Sequence, residues 1–316
     1  MALMPPASRP AWEALSQVLR AAIEDRVGGR VSVVDYPSGG FTPGIAARLE
    51  LDCGARVFIK GIALDDPASR MYRAEAAVGA DLPVRVAPAL LWAVEEANWL
   101  VLGFEDVSGS TPDLAPGSAD LDGVLETVAA LAPALTPCPA KEADAFAGLA
   151  GTLAGYWRRL EAQGVQGWDA RHVAELTALD SEEVLVRATQ GDTLLHCDLR
   201  ADNMLVEAGR ARVIDWSWFA RGAAWVDVAF LLPQLILAGH RAPDADRLLA
   251  AAVPAWAQAP EEGVVAFAVA ITGFWEWQQR SGPGGALGAY RGRAAAAGRA
   301  WVAHRMGWKE PASVPL

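Results

Sequence analysis

Residues 194–218 have the sequence LLHCDLRADNMLVEAGRARVIDWSW, in which short apolar runs alternate with polar loops. Apolar runs at 193–195 and 204–206 frame the first loop, and a third run at 212–214 leads into the next polar position. Bounded runs of this length predict short strands, so the polar side chains fall at strand ends. These side chains are three carboxylates and an amide: Asp198, Asp202, Asn203 and Asp215.

These side-chain types suit phosphoryl transfer from a nucleotide. A Mg²⁺ ion that bridges nucleotide phosphates needs hard oxygen ligands from a few side chains, which predicts Asn203 and Asp215 as metal ligands. The transfer also needs a carboxylate that orients the acceptor hydroxyl and accepts its proton, which predicts Asp198 as the catalytic residue. The alternative is that these carboxylates cap turns or form surface ion pairs.

The pattern His-x-Asp-x-x-x-x-Asn is matched by His196, Asp198 and Asn203, and an Ile-Asp pair follows at Ile214 and Asp215. This arrangement resembles the aminoglycoside phosphotransferase and choline kinase-like branch of the protein kinase superfamily. The resemblance implies an α+β, bilobal protein kinase-like fold with a small antiparallel β-sheet N-lobe and a larger, mainly helical C-lobe. It also implies Mg²⁺ as cofactor, with ATP or GTP as co-substrate.

The resemblance extends to a lysine and a glutamate upstream. Lys60 ends the apolar run ARVFIK, where the family keeps a lysine that grips nucleotide phosphates, and Glu75 on the next helix is its predicted partner. The chain has 27 lysines and arginines, of which the lysines are only Lys60, Lys141 and Lys309. A lysine at this position is therefore a specific choice, although an exposed strand-end lysine remains the alternative.

Two further segments are assigned to the nucleotide by resemblance. The loop SGGFTPG at 38–44 lies where kinases place a glycine-rich loop over the phosphates, which implies a contact at Gly40. Its spacing departs from G-x-G-x-x-G, so a plain hairpin loop is an equal alternative. The segment WLVLGFEDVSG at 99–109 resembles the strand and hinge that contact a purine, and Glu105 and Val107 are the predicted contacts.

Other polar and aromatic residues have two interpretations each. We expect His196 to be buried and to bond the loop backbone. Asp227 resembles the family's structural aspartate, which implies that it supports the catalytic loop without acting in catalysis. Arg200 either faces the transferred phosphate or is a solvated loop arginine. Four residues are candidates for an acceptor pocket, with core packing as the alternative for the tryptophans: Trp218, Trp275, Glu276 and Trp277.

The order of predicted elements indicates a β-rich first part and a helical second part. After a helix at 10–26, strands are predicted at 31–36, 45–51, 55–60, 88–94 and 99–105, with a helix inserted at 66–81. Beyond a turn-rich segment, helices are predicted at 121–135, 143–162 and 171–189. We therefore predict a nucleotide-binding N-lobe at 1–105 and a catalytic and substrate-binding C-lobe at 106–316.

Composition excludes several classes of protein. Hydrophobic residues make up 53% and charged residues 21% of the chain, which is typical of a globular protein. The net charge of −11 argues against nucleic acid or an anionic membrane as a partner. The three cysteines have no metal-ligand spacing, and no signal peptide or membrane span is predicted, so we expect a cytoplasmic protein.

The separation of two aspartates restricts the acceptor. Only eleven residues lie between Asp215 and Asp227, which are too few for the activation segment of a protein kinase. Protein substrates are therefore disfavoured. With the resemblance, the preferred function is a small-molecule O-phosphotransferase acting on an antibiotic, as a resistance kinase does. The alternatives are a kinase of a small metabolite (sugar, amino alcohol or nucleoside) and a non-catalytic nucleotide-binding module. The sequence leaves the oligomeric state open.

Overall fold

The computed structural model of the protein describes residues 9–37 and 43–311. These residues divide into two compact units. Unit 1 contains the described residues up to Ser110 together with Arg212–Trp218, and unit 2 contains the described residues of Thr111–Ala211 and Phe219–Leu316.

Unit 1 is built on a five-stranded antiparallel sheet with the strand order β1-β2-β3-β5-β4. Its elements are a 3₁₀ turn (Trp12–Ala14), α1 (Gln17–Val27), β1 (Val31–Asp35), β2 (Ile45–Leu51), β3 (Arg56–Ala63), α2 (Ser69–Gly79), β4 (Leu90–Glu96) and β5 (Trp99–Glu105). The helix predicted at 10–26 starts later because Ser16 caps α1, its hydroxyl accepting from the Leu19 amide. Gly28, at φ +76°, ends α1.

The two faces of the sheet pack on different helices. Val57 and Ile59 of β3 belong to the apolar cluster that includes Leu19 and Ile23 of α1. Ile62 belongs to a second cluster with Tyr72 of α2. Because side chains alternate along a strand, Lys60 lies on the same face as Ile62, the face that carries α2.

Unit 2 is mainly helical. Its helices are α3 (Leu121–Ala134), α4 (Phe146–Leu153), α5 (Tyr156–Gln163), α6 (Gly167–Leu179), α7 (Glu182–Ala188), α8 (Trp225–Leu237), α9 (Ala242–Ala252), α10 (Pro254–Ala257), α11 (Glu261–Ser281) and α12 (Gly285–Met306). Phe267 of α11 and Trp301 of α12 are fully buried or nearly so, and their rings lie 6.5 Å apart in the core.

Short strands flank the loops of the quoted stretch. They are β6 (Thr193–Leu195), β7 (Met204–Glu207), β8 (Arg210–Val213) and β9 (Ala220–Gly222). β6 pairs antiparallel with β9, while β7 and β8 form a two-stranded sheet. The strand β9 is absent from the sequence prediction because a run of three residues carries too little pattern to be recognised.

Two predicted helices are each divided in the structure. The helix predicted at 143–162 breaks at Gly155, whose φ of +81° is incompatible with a continuous right-handed helix. The helix predicted at 171–189 breaks at Asp180, after which Ser181 caps α7. The α+β class, with a small antiparallel sheet and a mainly helical second part, is nevertheless confirmed. Among the described residues, no helix is long and apolar enough to cross a membrane.

Candidate active site

Lys60 lies in a cluster of opposite charges within unit 1. Its Nζ donates to Glu75 Oε2 over 2.6 Å and to Asp215 Oδ1 over 3.0 Å. The Lys60 side chain is 16% exposed and the Glu75 side chain 5%. Burial alone would lower the pKa of Lys60, but the carboxylates of Glu75 and Asp215 raise the pKa above its ordinary value. The lysine is therefore held as a fixed cation, with the glutamate predicted from the sequence as its partner.

Asp215 is held beside Lys60 by its own segment. It follows β8 at φ +63°, a left-handed conformation that aspartate tolerates better than most residues. Ser217 Oγ donates to Asp215 Oδ1 over 3.0 Å. The segment is anchored in unit 1 because the Val213 amide donates to the Val86 carbonyl over 2.7 Å.

Unit 2 presents Asp198 on a loop after β6 whose backbone is held by Asp227. Asp227, in the first turn of α8, accepts from the amides of His196 and Cys197 over 2.8 Å each. It is 3% exposed, and burial raises its pKa although both amide donors oppose this. His196 is fully buried, and its Nδ1 accepts from the Asp198 amide over 3.2 Å. Both residues therefore support the loop, as the sequence predicts.

Asn203 and Asp198 are in direct contact. Asn203 Nδ2 donates to the Asp198 carbonyl over 2.8 Å and to Asp198 Oδ2 over 3.0 Å. Burial raises the pKa of the Asp198 carboxyl, and the Arg200 guanidinium opposes this shift. The Arg200 side chain is only 13% exposed, so the alternative of a solvated loop arginine is wrong.

The residues predicted to hold Mg²⁺ fit that ion chemically. Both N–H groups of a side-chain amide are donors, and Asn203 Nδ2 faces Asp198, so the amide oxygen is the atom that would bind a cation. The carboxylate of Asp215 is 40% exposed. No group of three or more His, Cys, Asp or Glu side chains that could hold a metal occurs in the part of the chain described. Phosphate and water would supply the other ligands, which is the usual arrangement for magnesium at a nucleotide.

The other residues predicted to contact the nucleotide lie in different environments. Gly40 lies outside the described residues. The carboxylate of Glu105 accepts from Arg212 Nη1 over 2.7 Å. Burial alone would raise the pKa of Glu105, but the hydrogen bond from Arg212 lowers the pKa below its ordinary value. Val107 is 3% exposed, and its carbonyl accepts from Arg48 Nη2 over 3.1 Å. Contact of Gly40, Glu105 and Val107 with a nucleotide stays a prediction.

Two of the acceptor-pocket candidates are buried in a charged network of unit 2. Trp275 and Glu276 are each 7% exposed. Glu276 accepts from Arg280 over 2.6 Å and pairs with Arg299 at 2.8 Å, and Arg299 also bonds Asp169. These contacts fit core packing between helices. Trp277 packs on Tyr156, and Trp218 is 46% exposed.

Three residues near the candidate site were not predicted from the sequence. Ser217 donates a hydrogen bond to Asp215. A serine two residues after an aspartate is a local pattern from which this bond could have been predicted. Tyr290 and Gln234 belong to helices α12 and α8 and contact each other near Arg200. No local pattern marks them, because their contacts depend on how distant helices pack.

We expect Asp227→Ala to lower the free energy of unfolding by about 1–3 kcal/mol, because two buried amides lose their acceptor. Urea denaturation followed by circular dichroism would measure the change. Glu126→Ala, at an exposed position beyond the first turn of α3, is the control and should change stability by less than about 0.5 kcal/mol. Equal stabilities of the two variants would contradict the supporting role of Asp227.

With the geometry described, the chain can be compared with known proteins. A model of the phosphotransferase enzyme family (APH) matches residues 62–263, which is more than half of the chain. Among curated proteins, none matches the chain in sequence.

Solved structures share the fold at low identity. The choline kinase LicA from Streptococcus pneumoniae is 14% identical with a TM-score of 0.56, covering 89% of this chain and 98% of its own. The macrolide 2′-phosphotransferase MphH from Brachybacterium faecium is 18% identical with a TM-score of 0.55, covering 87% and 95%. APH(2")-IIia, solved with GDP and kanamycin, is 14% identical with a TM-score of 0.58, covering 91% and 97%. The predicted protein kinase-like fold is confirmed.

Proposed function

Since this chain belongs to the phosphotransferase enzyme family, as its sequence predicts, we propose that it moves the γ-phosphoryl group of ATP or GTP to a hydroxyl of a small molecule. The observation that carries the proposal is the pairing of one partly buried lysine with two carboxylates, Lys60 with Glu75 at 2.6 Å and Asp215 at 3.0 Å. A cation held in this way suits the phosphates of a nucleotide, and the second carboxylate suits its metal ion.

In this proposal the nucleotide contacts come mainly from the first part of the chain, residues 1–105, and the acceptor contacts from 106–316. Lys60, oriented by Glu75, binds phosphate oxygens, and Gly40, Glu105 and Val107 contact the nucleotide. Asn203 and Asp215 would hold Mg²⁺, which supplies positive charge to the phosphates when bound. This assignment gives each predicted side chain a role that its chemistry permits.

The acceptor is activated by Asp198. The acceptor hydroxyl donates its hydrogen bond to the Asp198 carboxylate, which orients the oxygen and takes its proton as the oxygen bonds the γ-phosphorus. The bond between the γ-phosphorus and the bridging oxygen breaks, and the nucleoside diphosphate leaves. Asn203 fixes Asp198 through two hydrogen bonds, so the carboxylate is oriented before the acceptor arrives.

We propose an antibiotic as the acceptor, which would make the enzyme a resistance kinase. The eleven residues between Asp215 and Asp227 contain β9, which pairs with β6, so this segment is too short to dock a protein substrate. The net charge of −11 favours a cationic or neutral acceptor. Solved structures with this fold include a choline kinase, a macrolide 2′-phosphotransferase and a phosphotransferase with bound kanamycin, so choline, macrolides and kanamycin are suitable first members of a test panel. A nucleotide co-substrate also favours a cytoplasmic location.

The test is incubation of the protein with MgATP or MgGTP and a panel of hydroxylated compounds. The panel contains aminoglycosides, macrolides, choline, sugars and nucleosides, and mass spectrometry detects the gain of one phosphoryl group. We expect one antibiotic class to be modified. Modification of choline, a sugar or a nucleoside alone would replace the antibiotic assignment by that metabolite. Nucleotide binding without any turnover would indicate a non-catalytic module and reject the proposal.

We expect Lys60→Ala to lower kcat/KM for the nucleotide by roughly 10²-fold or more, because the fixed cation that binds the phosphates is lost. Lys141→Ala and Lys309→Ala, the remaining lysines and both exposed, are matched controls and should stay within about twofold. Steady-state kinetics at saturating acceptor measures all three. Equal losses in the three variants would remove Lys60 from the site.

A further inference from the structure

Three elements of unit 2 meet at the guanidinium of Arg200. Arg200 lies two residues after Asp198 in the loop that follows β6, and its side chain is 13% exposed. The guanidinium carbon lies over the ring of Tyr290 in α12, 5.0 Å from the ring centre. Gln234 of α8 donates from Nε2 to the Tyr290 hydroxyl over 3.0 Å. The arginine is therefore held by residues far from it in sequence.

The contacts fix the orientation of the guanidinium as well as its position. Its Nη2 donates to Asp202 Oδ2 over 2.9 Å, and its Nε lies 3.6 Å from Asp198 Oδ1. A guanidinium that lies over an aromatic ring and also donates to a carboxylate is restrained by both contacts. Gln234 is 8% exposed, so the group that bonds the Tyr290 hydroxyl is itself fixed by packing.

Asp198 consequently has a hydrogen bond at one carboxylate oxygen and an ion-pair neighbour at the other. Asn203 donates to Oδ2 over 3.0 Å, and Arg200 Nε lies nearest to Oδ1, at 3.6 Å. Each carboxylate oxygen has two acceptor sites, so both can bind these partners and still receive a hydroxyl. A carboxylate with a fixed neighbour on each side has a fixed orientation of its plane. This orientation sets the position at which an acceptor hydroxyl can donate to it.

We propose that Tyr290 and Gln234 are positioning residues for phosphoryl transfer, which hold the Arg200 guanidinium against Asp198 and so fix the carboxylate that receives the acceptor hydroxyl. The inference rests on the proposed function, because it takes Asp198 as the acceptor-activating residue. It assigns a role to helices α8 and α12 in the geometry of the reaction.

A second arginine over a tyrosine provides the control. Arg159 lies over the ring of Tyr156, 4.8 Å from its centre, and both belong to helix α5 of the same unit. Loss of this ring removes the same kind of contact from a residue pair that does not include Arg200. Tyr156→Leu therefore reports the general cost of losing such a stack.

The experiment is a double-mutant cycle of Tyr290→Leu and Arg200→Met. It measures kcat and KM for MgATP or MgGTP, with the acceptor from the panel or with water as acceptor. We expect Tyr290→Leu to lower kcat about tenfold while the nucleotide KM stays within about twofold. In the Arg200→Met background, the same substitution should have no further effect on kcat. Tyr290→Phe keeps the ring but loses the hydroxyl that Gln234 bonds, so it should lower kcat by less than Tyr290→Leu does, and Tyr156→Leu should leave kcat unchanged.

Three results would overturn the inference. They are additive losses in the double variant, an unchanged kcat in Tyr290→Leu, and an equal loss of kcat in Tyr156→Leu. All variants are assayed at a temperature at which circular dichroism shows them folded, and Gln234→Leu replaces Tyr290→Leu in the cycle if the latter does not fold. A wild-type protein without any turnover would reject the proposed function, whereas an additive cycle in an active enzyme rejects the positioning role alone.

Discussion

Asp198→Asn is expected to reduce phosphoryl transfer by roughly 10²–10⁴-fold, the contribution of a positioned base. Asparagine keeps the shape of the side chain and can present its amide oxygen to Asn203, so the loop geometry is preserved. Nucleotide affinity should stay within about threefold, because the side chain faces the acceptor. Steady-state transfer and nucleotide affinity measured on the same preparation test both parts.

The control for Asp198→Asn is Asp192→Asn, which removes the same charge at an exposed position of the same unit. It should leave transfer within about twofold of wild type. Full activity of Asp198→Asn would reject the catalytic role. Lost nucleotide affinity with transfer unchanged at saturation would instead assign Asp198 to the metal ion.

Asp215→Ala should abolish nucleotide turnover, with a loss of about 10³-fold or more, the scale on which charge stabilisation contributes to phosphoryl transfer. The substitution removes the proposed metal carboxylate and one of two carboxylate partners of Lys60. The fold should be retained, because Lys60 keeps Glu75 and the Asp215 side chain is 40% exposed. Turnover is measured over a range of magnesium concentrations.

Two further variants are compared with Asp215→Ala, one as a control and one with a smaller expected effect. Asp35→Ala removes an exposed carboxylate of unit 1, whose side chain is 67% exposed, and should not alter turnover. Asn203→Ala should be milder than Asp215→Ala, because a neutral amide attracts a cation less than a carboxylate does. Near wild-type activity of Asp215→Ala at limiting magnesium would contradict the metal assignment.

The position of Lys60 was predictable because it depends on local alternation. Along β3, Val57 and Ile59 point to one face and Lys60 to the other, where α2 supplies Glu75. The strand, the next helix and the short connection between them follow from the sequence. The strand and the helix that carry the pair are therefore predictable from local patterns, whereas the pairing of Lys60 with Glu75 was implied by the resemblance.

The surroundings of Arg200 were not predictable, because they depend on packing between distant helices. Its contacts with Tyr290 and, through it, with Gln234 require α8 and α12 to be placed against the catalytic loop. The ion pair between Glu105 and Arg212 was not predicted for the same reason, because the two residues are remote in sequence. Local patterns report strands and helix ends, whereas such contacts arise from tertiary structure.

The most direct test of the proposed reaction follows the γ-phosphoryl group itself. Nucleotide labelled with ³²P at the γ-phosphate is incubated with magnesium, the acceptor from the panel, and either wild-type protein or Asp215→Ala. We expect the label to appear in the acceptor with wild-type protein and to remain in the nucleotide with the variant. The proposed reaction would be contradicted if the label stays in the nucleotide with wild-type protein across the whole panel. It would also be contradicted if the label reaches the acceptor equally with both proteins.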